Sequence, residues 1–576
     1  MALSANTVFE VRTTGAGTNG GGFVTGASGT DWSQQDVAQY AVTDAVTNGT
    51  TTVTSATASF GTDVVGNILY IQGGTGGITA DWYQIISRTN STTIVLDRST
   101  GLTTGTGATL NIGGCFASPV TAESNMVAGN ITWVKSGTYT LTATLNFDAG
   151  NTLPNAVMTY MLGYETTRGD RPMGTGRPLL DTSSALNPMV RVSVGPRLFA
   201  HFRLDGTDTA INGIIIGDGS NVRGAQVAYC KIERTSTYGI DAGSGTYISG
   251  PVIGCEVTDM KTGATAGINL GMCVGCYVHD SPGVGYTYPL SAVGCIADTM
   301  VSDGFRIGGL NGSQILNNIA YNNGGDGFES ADTYSAHFAI MNNISYLNTG
   351  FGLRTDKTHP IDSAIIDYNA FGSNTSGARN TPGFIAGPND VTLTADPFVD
   401  APNGNFALND TAGGGALLQA LGYPGVFPGG LTVGYPDIGA AQHQDTIYAN
   451  LDDDAADDVL TQLQSTFPAS SILDIYDAAG PADPNSAHSG NILASIVLPS
   501  SPWGTPSAGS MAKANTWSVT AIATGVPVSA RLRNAADTKR MDFTCTESGG
   551  TGEVTIDTAS ITTGQTVTIN TFTVTA

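Results

Sequence analysis

Between residues 228 and 345 one short phrase returns six times: Ala228-Tyr229-Cys230-Lys231-Ile232, Ile253-Gly254-Cys255-Glu256-Val257, Val274-Gly275-Cys276-Tyr277-Val278, Val293-Gly294-Cys295-Ile296-Ala297, Leu316-Asn317-Asn318-Ile319-Ala320 and Met341-Asn342-Asn343-Ile344-Ser345. Successive phrases are 19 to 25 residues apart, yet the offsets inside each phrase hold. Repeats of this size are units that cannot bury an apolar face alone and must stack on their neighbours. With the Cys or Asn as position zero, the residues at minus two, zero and plus two are small or apolar, and strand alternation predicts that they point inward. Nine residues on, five of the six repeats carry a glycine (Gly239, Gly285, Gly304, Gly327, Gly352), read as a turn. A large residue predicted to face inward follows it: Ile240, Tyr286, Phe305, Phe328 or Leu353. The Cys255 repeat departs, reaching Gly267 after a three-residue insertion.

Constant offsets within a coil and variable lengths between coils predict strands held in register while one turn absorbs the difference. That is the behaviour of a parallel β-helix. Leucine-rich, ankyrin and TPR repeats keep their lengths and carry helical spacing instead. Composition agrees: 76 of 576 residues are Gly and only 12% are charged, which suits short strands joined by tight turns and excludes a helical bundle. A solenoid also absorbs this length without one central core.

Four of the seven cysteines (Cys230, Cys255, Cys276, Cys295) share position zero and read as core side chains, free thiols in a cytosolic folding environment. Cys273 and Cys276 form a lone Cys-x-x-Cys with no second pair and no His at ligand spacing, so no metal or cofactor is expected. Asn318 and Asn343 continue the inward column, where stacked amides can satisfy one another from coil to coil.

A net charge of −24 argues against nucleic acid or an anionic membrane as partner, since both require clustered Lys and Arg. No apolar run spans a membrane, and Met1 to Thr14 lacks a basic and apolar leader, so folding in a cytoplasm is expected.

The chain divides on these patterns. Residues 1–41 read as a solenoid cap containing a strand, a Gly-rich loop and a short capped helix near Asp31-Trp32-Ser33-Gln34-Gln35-Asp36. Residues 42–114, with alternating runs such as Ile68-Leu69-Tyr70-Ile71, read as an inserted small β-barrel or sandwich. Residues 115–443 are assigned to the β-helix, 444–470 to a linker with a short helix behind Asp452-Asp453-Asp454, and 471–576 to a C-terminal β-sandwich-like module. The Asp run lacks the Gly and Glu spacing of a calcium loop, and acidic residues at a helix N-terminus are favoured by its dipole.

Two resemblances follow. Trp133-Val134-Lys135-Ser136-Gly137-Thr138-Tyr139 resembles the opening strand of pectate-lyase-like right-handed β-helices, and Ala395-Asp396-Pro397-Phe398-Val399-Asp400, Gly404-Asn405-Phe406-Ala407-Leu408 and Pro436-Asp437-Ile438-Gly439-Ala440 resemble their closing phrases. These phrases imply a fold and no reaction. The N-terminal Thr18-Asn19-Gly20-Gly21-Gly22-Phe23 and Gly29-Thr30-Asp31-Trp32 resemble β-helix virion proteins of tailed bacteriophages. The C-terminal stretch from Ile472-Leu473-Asp474-Ile475-Tyr476 to Gly564-Gln565-Thr566-Val567 is similar to small all-β modules of phage structural proteins.

One cluster is a candidate for catalysis. Asp303 and Asp326 share position plus eight in adjacent coils, and Arg306, Glu329 and Arg354 share plus eleven in three coils, pointing outward. Glycosidases need two carboxylates about 5–9.5 Å apart. The alternative is structural: an Arg, Glu, Arg column is an ion-pair ladder, and an Asp before a turn glycine caps the turn. Of the histidines, His279, His337 and His359 fall in the solenoid without Ser, Cys or metal-ligand spacing. The resemblance therefore implies a structural protein of a phage particle, a capsid decoration or head fibre, whose partners are other virion proteins. A tailspike-type polysaccharide depolymerase and a carbohydrate-binding adhesin that touches host glycans are the alternatives; the outward positions of the six repeats offer few of the aromatics either would need. Homo-oligomerisation is left open.

Overall fold

A computed structural model describes residues 3–101, 104–148, 157–193, 195–217, 224–243, 250–308, 313–330, 338–355, 364–380, 384–423, 436–442, 453–481, 486–507, 510–550 and 552–575. His337 and His359 lie outside these residues. The chain forms two compact units, 1–443 and 444–576.

The first unit is a parallel β-helix with three faces. Face A is a twelve-stranded sheet that runs from Thr7–Val11 through Ile131–Lys135 and Thr159–Tyr164 to Ala364–Asp367, closed at its start by the antiparallel strand Gly22–Val24. Face B has eleven strands, from Thr138–Thr140 to Val391–Thr392, and face C ten, from Leu145–Phe147 to Gly377–Arg379. The segment between the first two rungs of face A closes a six-stranded antiparallel barrel, from Tyr40–Asn48 to Thr104–Ile112, around its own apolar core. No helix forms over residues 31–36: Asp31 accepts from the Ser33 amide at 2.8 Å, so the acid closes a turn on itself instead of capping a helix.

Two corners are made the same way through seven successive coils. The residue at minus one is left-handed in seven successive coils: Tyr229, Gly254, Gly275, Gly294, Asn317, Asn342 and Tyr368, with φ between 53° and 64°. The residue at plus four repeats this in Arg234, Asp259, Asp280, Thr299, Asn322, Leu347 and Ser373. A left-handed residue breaks alternation, which corrects the expectation for position minus two. Val227, Val252, Cys273, Ala292, Ile315 and Ile340, at minus three, are the buried ones, whereas Val274 at minus two is 43% exposed. Ile253, Val293, Leu316 and Met341 are half-buried beside it, an apolar column on the outside of face A that sequence alone cannot tell from core. Positions zero and plus two do point inward.

Inside, the columns stack like on like. Tyr286, Phe305 and Phe328 lie ring on ring at 4.6 and 4.9 Å between centroids. Of the glycines at plus nine, Gly239, Gly285 and Gly352 are strand residues, and Gly304 and Gly327 stand immediately before a strand of the same face. A Cβ on Gly285 would stand 2.5 Å from the Gly304 carbonyl oxygen and 2.9 Å from the Ala297 Cβ. Gly285→Ala is therefore expected to destabilise by about 1–3 kcal/mol in denaturant unfolding. Gly275→Asn, which places at an open left-handed corner the residue found at Asn317 and Asn342, is expected to stay within about 0.5 kcal/mol.

Where the Cys column ends, amides take over. Asn343 Oδ1 accepts from the Asn318 backbone N–H and from Asn318 Nδ2, both at 2.9 Å, and Asn343 Nδ2 donates to Asn369 Oδ1 at 2.9 Å. A second ladder, five residues on, joins Asn323, Asn348 and Asn374 in the same pattern. All seven cysteines are buried thiols. Beyond the last coil, Phe398–Asp400 and Asn405–Leu408 form a hairpin, and the chain folds back over the outside of face B, setting Phe398, Phe406, Leu418 and Ile438 against Ile319, Tyr321, Ile344 and Tyr346.

The second unit is an eight-stranded sheet around Trp503, Trp517 and Phe572, completed by the helix Asp453–Thr466. Leu460 and Phe467 are buried in that core, so the segment behind the Asp run belongs to the module as well as connecting to it.

Candidate functional site

Face C brings the five candidate residues together. Phe305–Ile307, Phe328–Ser330 and Phe351–Thr355 are consecutive rungs in which Arg306, Glu329 and Arg354 are lateral partners, while Asp303 and Asp326 sit just before them. Arg306 donates to Asp303 Oδ2 and to Glu329 Oε2, each at 2.6 Å. Arg354 Nη1 lies 3.2 Å from Asp326 Oδ2 and 3.5 Å from Glu329 Oε1. The remaining Asp oxygens accept backbone amides of the next coil: Asp303 Oδ1 from Asp326 at 2.8 Å, and Asp326 Oδ1 from Phe351 at 2.6 Å. Burial raises the carboxyl pKa of Asp326 and Glu329, opposed by their arginine partners. Burial also works against the Arg306 charge, but Glu329 and Asp303 outweigh it and hold the guanidinium above its ordinary value. All six carboxylate oxygens thus have partners, and each carboxylate ties one coil to the next.

A second ionic group occupies the outside of face B. Glu256 receives Lys231 Nζ at 2.7 Å and faces His279 Nε2 at 3.3 Å, while His279 Nδ1 lies 2.8 Å from Asp280. The bond to His279, then Lys231, pulls the Glu256 pKa down to about 2 against burial. Burial disfavours the His279 charge, but Glu256 and Asp280 prevail and raise it above its ordinary value. The Glu256 contribution to stability is therefore complete above about pH 4.5 and is lost as pH falls toward 2, whereas that of His279 is complete below about pH 6.5 and fades as pH rises through its folded value. Glu256→Gln is expected to lower the His279 titration midpoint, read by NMR of the imidazole, and to flatten the acid limb of the stability profile.

In the second unit, the structure pairs a Ser with a His. His488 stacks on Tyr476 at 3.6 Å and its Nε2 lies 2.8 Å from Ser529 Oγ. His488 Nδ1 accepts from the Gly490 amide at 3.1 Å, so Nε2 carries the proton and donates, and Ser529 donates to the Ala478 carbonyl at 2.7 Å. This imidazole cannot take the serine proton, and the pair is not an activated nucleophile. Cys273 and Cys276 both lie in the solenoid core, on either side of the left-handed Gly275. No group of three or more His, Cys, Asp or Glu among the described residues is placed to hold a metal.

Sequence reasoning missed a groove on the outside of face A. Trp133, Tyr160, Leu162 and Leu198 from three successive rungs, the loop residues Gly169 and Arg171, and the corner residues His201 and Tyr229 line a volume of about 420 Å³. Alternation within Ile131–Lys135 already set Trp133 outward of the buried Val134. Tyr160 belongs to a rung 27 residues on and outside the six clear repeats, so their sequence gave no sign of the cluster.

No family of known proteins matches the chain, and no curated protein matches it. Among solved structures, pectate lyase Pel9A is 14% identical over 56% of this chain and 90% of its own, with a TM-score of 0.34. The catalytic unit of a GH87 alpha-1,3-glucanase from Streptomyces thermodiastaticus is 10% identical over 62% and 88%, at 0.27. ORF18 of Geobacillus virus E2 is 10% identical over 46% of this chain and 55% of its own, little more than half of that viral protein, at 0.26. These likenesses carry nothing about chemistry; the parallel β-helix rests on the register of its own three sheets.

Proposed function

We propose that this chain is a structural component of a tailed-bacteriophage particle, assembled in the host cytoplasm and carried on the virion surface as a capsid decoration or head fibre attached to other virion proteins. The observation that supports this reading over a depolymerase is the state of the face-C cluster. A glycosidase needs one carboxyl free to hold a proton for the leaving group and one free to face the sugar. Here Asp303, Asp326 and Glu329 are engaged with Arg306, Arg354 and the amides of the next coil, as expected of a ladder that stiffens a shaft. The terminal resemblances to phage virion proteins supply the setting. The depolymerase reading keeps one observation in its favour, the burial that raises the Asp326 and Glu329 pKa values.

The test is immunogold electron microscopy of purified virions with antibody to this chain, alongside assays for cleavage of host capsular and lipopolysaccharide glycans. The expected result is label over the capsid and no cleavage. Label at the tail tip, with cleavage abolished by Asp326→Asn or Glu329→Gln, would replace this reading with that of a spike enzyme.

A further inference from the structure

Among the described residues, the outside of face A differs from the other two faces in carrying no charge over most of its length. From Ile131 and Trp133 in one rung to Ala339 and Met341 eight rungs on, each strand turns two side chains outward, in register with its neighbours. Gln226, Ser291 and Gln314 are the polar ones, and every other is apolar. None of them belongs to an apolar core of the described residues. Val274, near the middle of the strip, is 43% exposed, and Ile365, one rung beyond Met341, is 62% exposed. By contrast, the outside of face B holds the Arg203 and Glu233 pair and the group around Glu256, and is then covered by the returning chain, while face C holds the Arg306, Glu329 and Arg354 ladder.

An apolar strip this long on a chain of net charge −24 marks a contact surface. Ten rungs span about 43 Å, and a three-residue strand with its corner is about 14 Å wide, so two such strips laid together bury roughly 1,200 Å², the lower bound for a stable interface. The two ends of the strip are unlike each other. At the first rungs, Trp133, Tyr160 and Leu162 border the hollow of about 420 Å³, and Lys135 follows Trp133 on the outward side of its strand. At the last rung stand the most exposed apolar side chain of the strip, Ile365, and a carboxylate, Asp367, in line with Met341.

We propose that two copies of this chain pair face A to face A with their solenoids antiparallel, about a two-fold axis that runs along the strands between Ile253 and Val274. This pairing lays Met341 and Ile365 of each copy over the hollow at Trp133 and Tyr160 of the other, and brings Asp367 of each copy beside Lys135 of the other. A parallel pair would lay hollow on hollow and crowd two Asp367 carboxylates at one end. A ring of three would need two different contact surfaces on each copy, and only one face is without charge. Two chains of the same strong charge can meet through such a strip, because at physiological salt their acidic groups elsewhere are screened beyond about 8 Å. The inference does not rest on the virion assignment.

The experiment is sedimentation equilibrium of the full chain, in which the buried area predicts a dimer with a Kd of roughly micromolar order. Val274→Lys, which sets two cations against the apolar centre, is expected to weaken the pair about a hundredfold or more, and the milder Leu316→Gln about tenfold. An unchanged circular dichroism spectrum and cysteines that stay unreactive to a thiol reagent show that a variant keeps its fold; should Val274→Lys fail this, Leu316→Gln decides. Orientation is read from a nitroxide on Asn389→Cys, an exposed residue that donates to Asp367 at the end of the strip. The antiparallel pair predicts a label-to-label distance of about 45 Å or more, and a parallel pair less than about 30 Å. A monomer at about 50 µM, a trimer, a dimer indifferent to the substitutions, or the shorter label distance overturns the proposal.

Discussion

Asn343→Leu is expected to destabilise the solenoid by about 2–4 kcal/mol, although it exchanges a buried polar side chain for an apolar one of similar size. The reason lies in what the amide serves. Asn343 Oδ1 is the acceptor for the Asn318 backbone N–H and side-chain amide, and its Nδ2 bonds Ile315 O and Asn369 Oδ1. All of these groups lie in the interior, where water cannot replace the lost partner. Cys295→Val, at the same position two coils earlier, is the control. Its thiol lies 3.6 Å from Val293 O, a long and weak contact, so a volume-conserving swap there is expected to cost less than about 1.5 kcal/mol. Urea midpoints of the two variants, with hydrogen exchange at the Asn318 amide, check the comparison. Equal losses would mean that the ladder carries no stability of its own.

The second large effect is expected at Glu10. Its side chain is fully buried and receives Arg12 Nε at 2.8 Å, Arg168 Nε at 2.7 Å and the Tyr164 hydroxyl. Arg168 continues to Asp31 and to Ser33 Oγ, so one carboxylate joins the first rung of face A to a loop two rungs on and to the chain leading into the barrel. Glu10→Ala leaves two partly buried guanidinium groups without their shared anion and is expected to cost about 3–5 kcal/mol. Tyr164→Phe, which removes one neutral donor, is expected to cost about 1 kcal/mol. Hydrogen exchange should show protection lost first over Thr7–Val11. An even loss along the whole solenoid would contradict a local tie.

The stacked repeats made the architecture legible, because each inward column is chemically uniform: Cys or Asn at zero, Gly at plus nine, aromatic or aliphatic at plus ten. The face-C cluster was legible for the same reason, since equal offsets place Asp303, Arg306, Asp326, Glu329 and Arg354 side by side. Position minus two was misread because alternation counts residues and takes no account of a corner; a single left-handed residue such as Tyr229 or Asn317 shifts the inward positions by one. The asparagine ladder through Asn323, Asn348 and Asn374 went unread because it falls after the second corner, outside the repeated phrase. The groove was hidden for a different reason. Its walls come from early coils, where Trp133, Tyr160, Leu198 and Tyr229 share no phrase, and neighbours in space are separated by 27 to 38 residues of chain.

The two left-handed corners recur at fixed offsets through seven coils, whereas the span from face C back to face A changes length at nearly every turn. The solenoid therefore has two hinge-like edges that fix its gauge and a third edge that acts as a margin. New sequence can be added at that margin without shifting any column, so a foreign peptide spliced after Ile307, where face C leaves its rung, should be displayed along one side of the shaft while the stacked interior keeps its register.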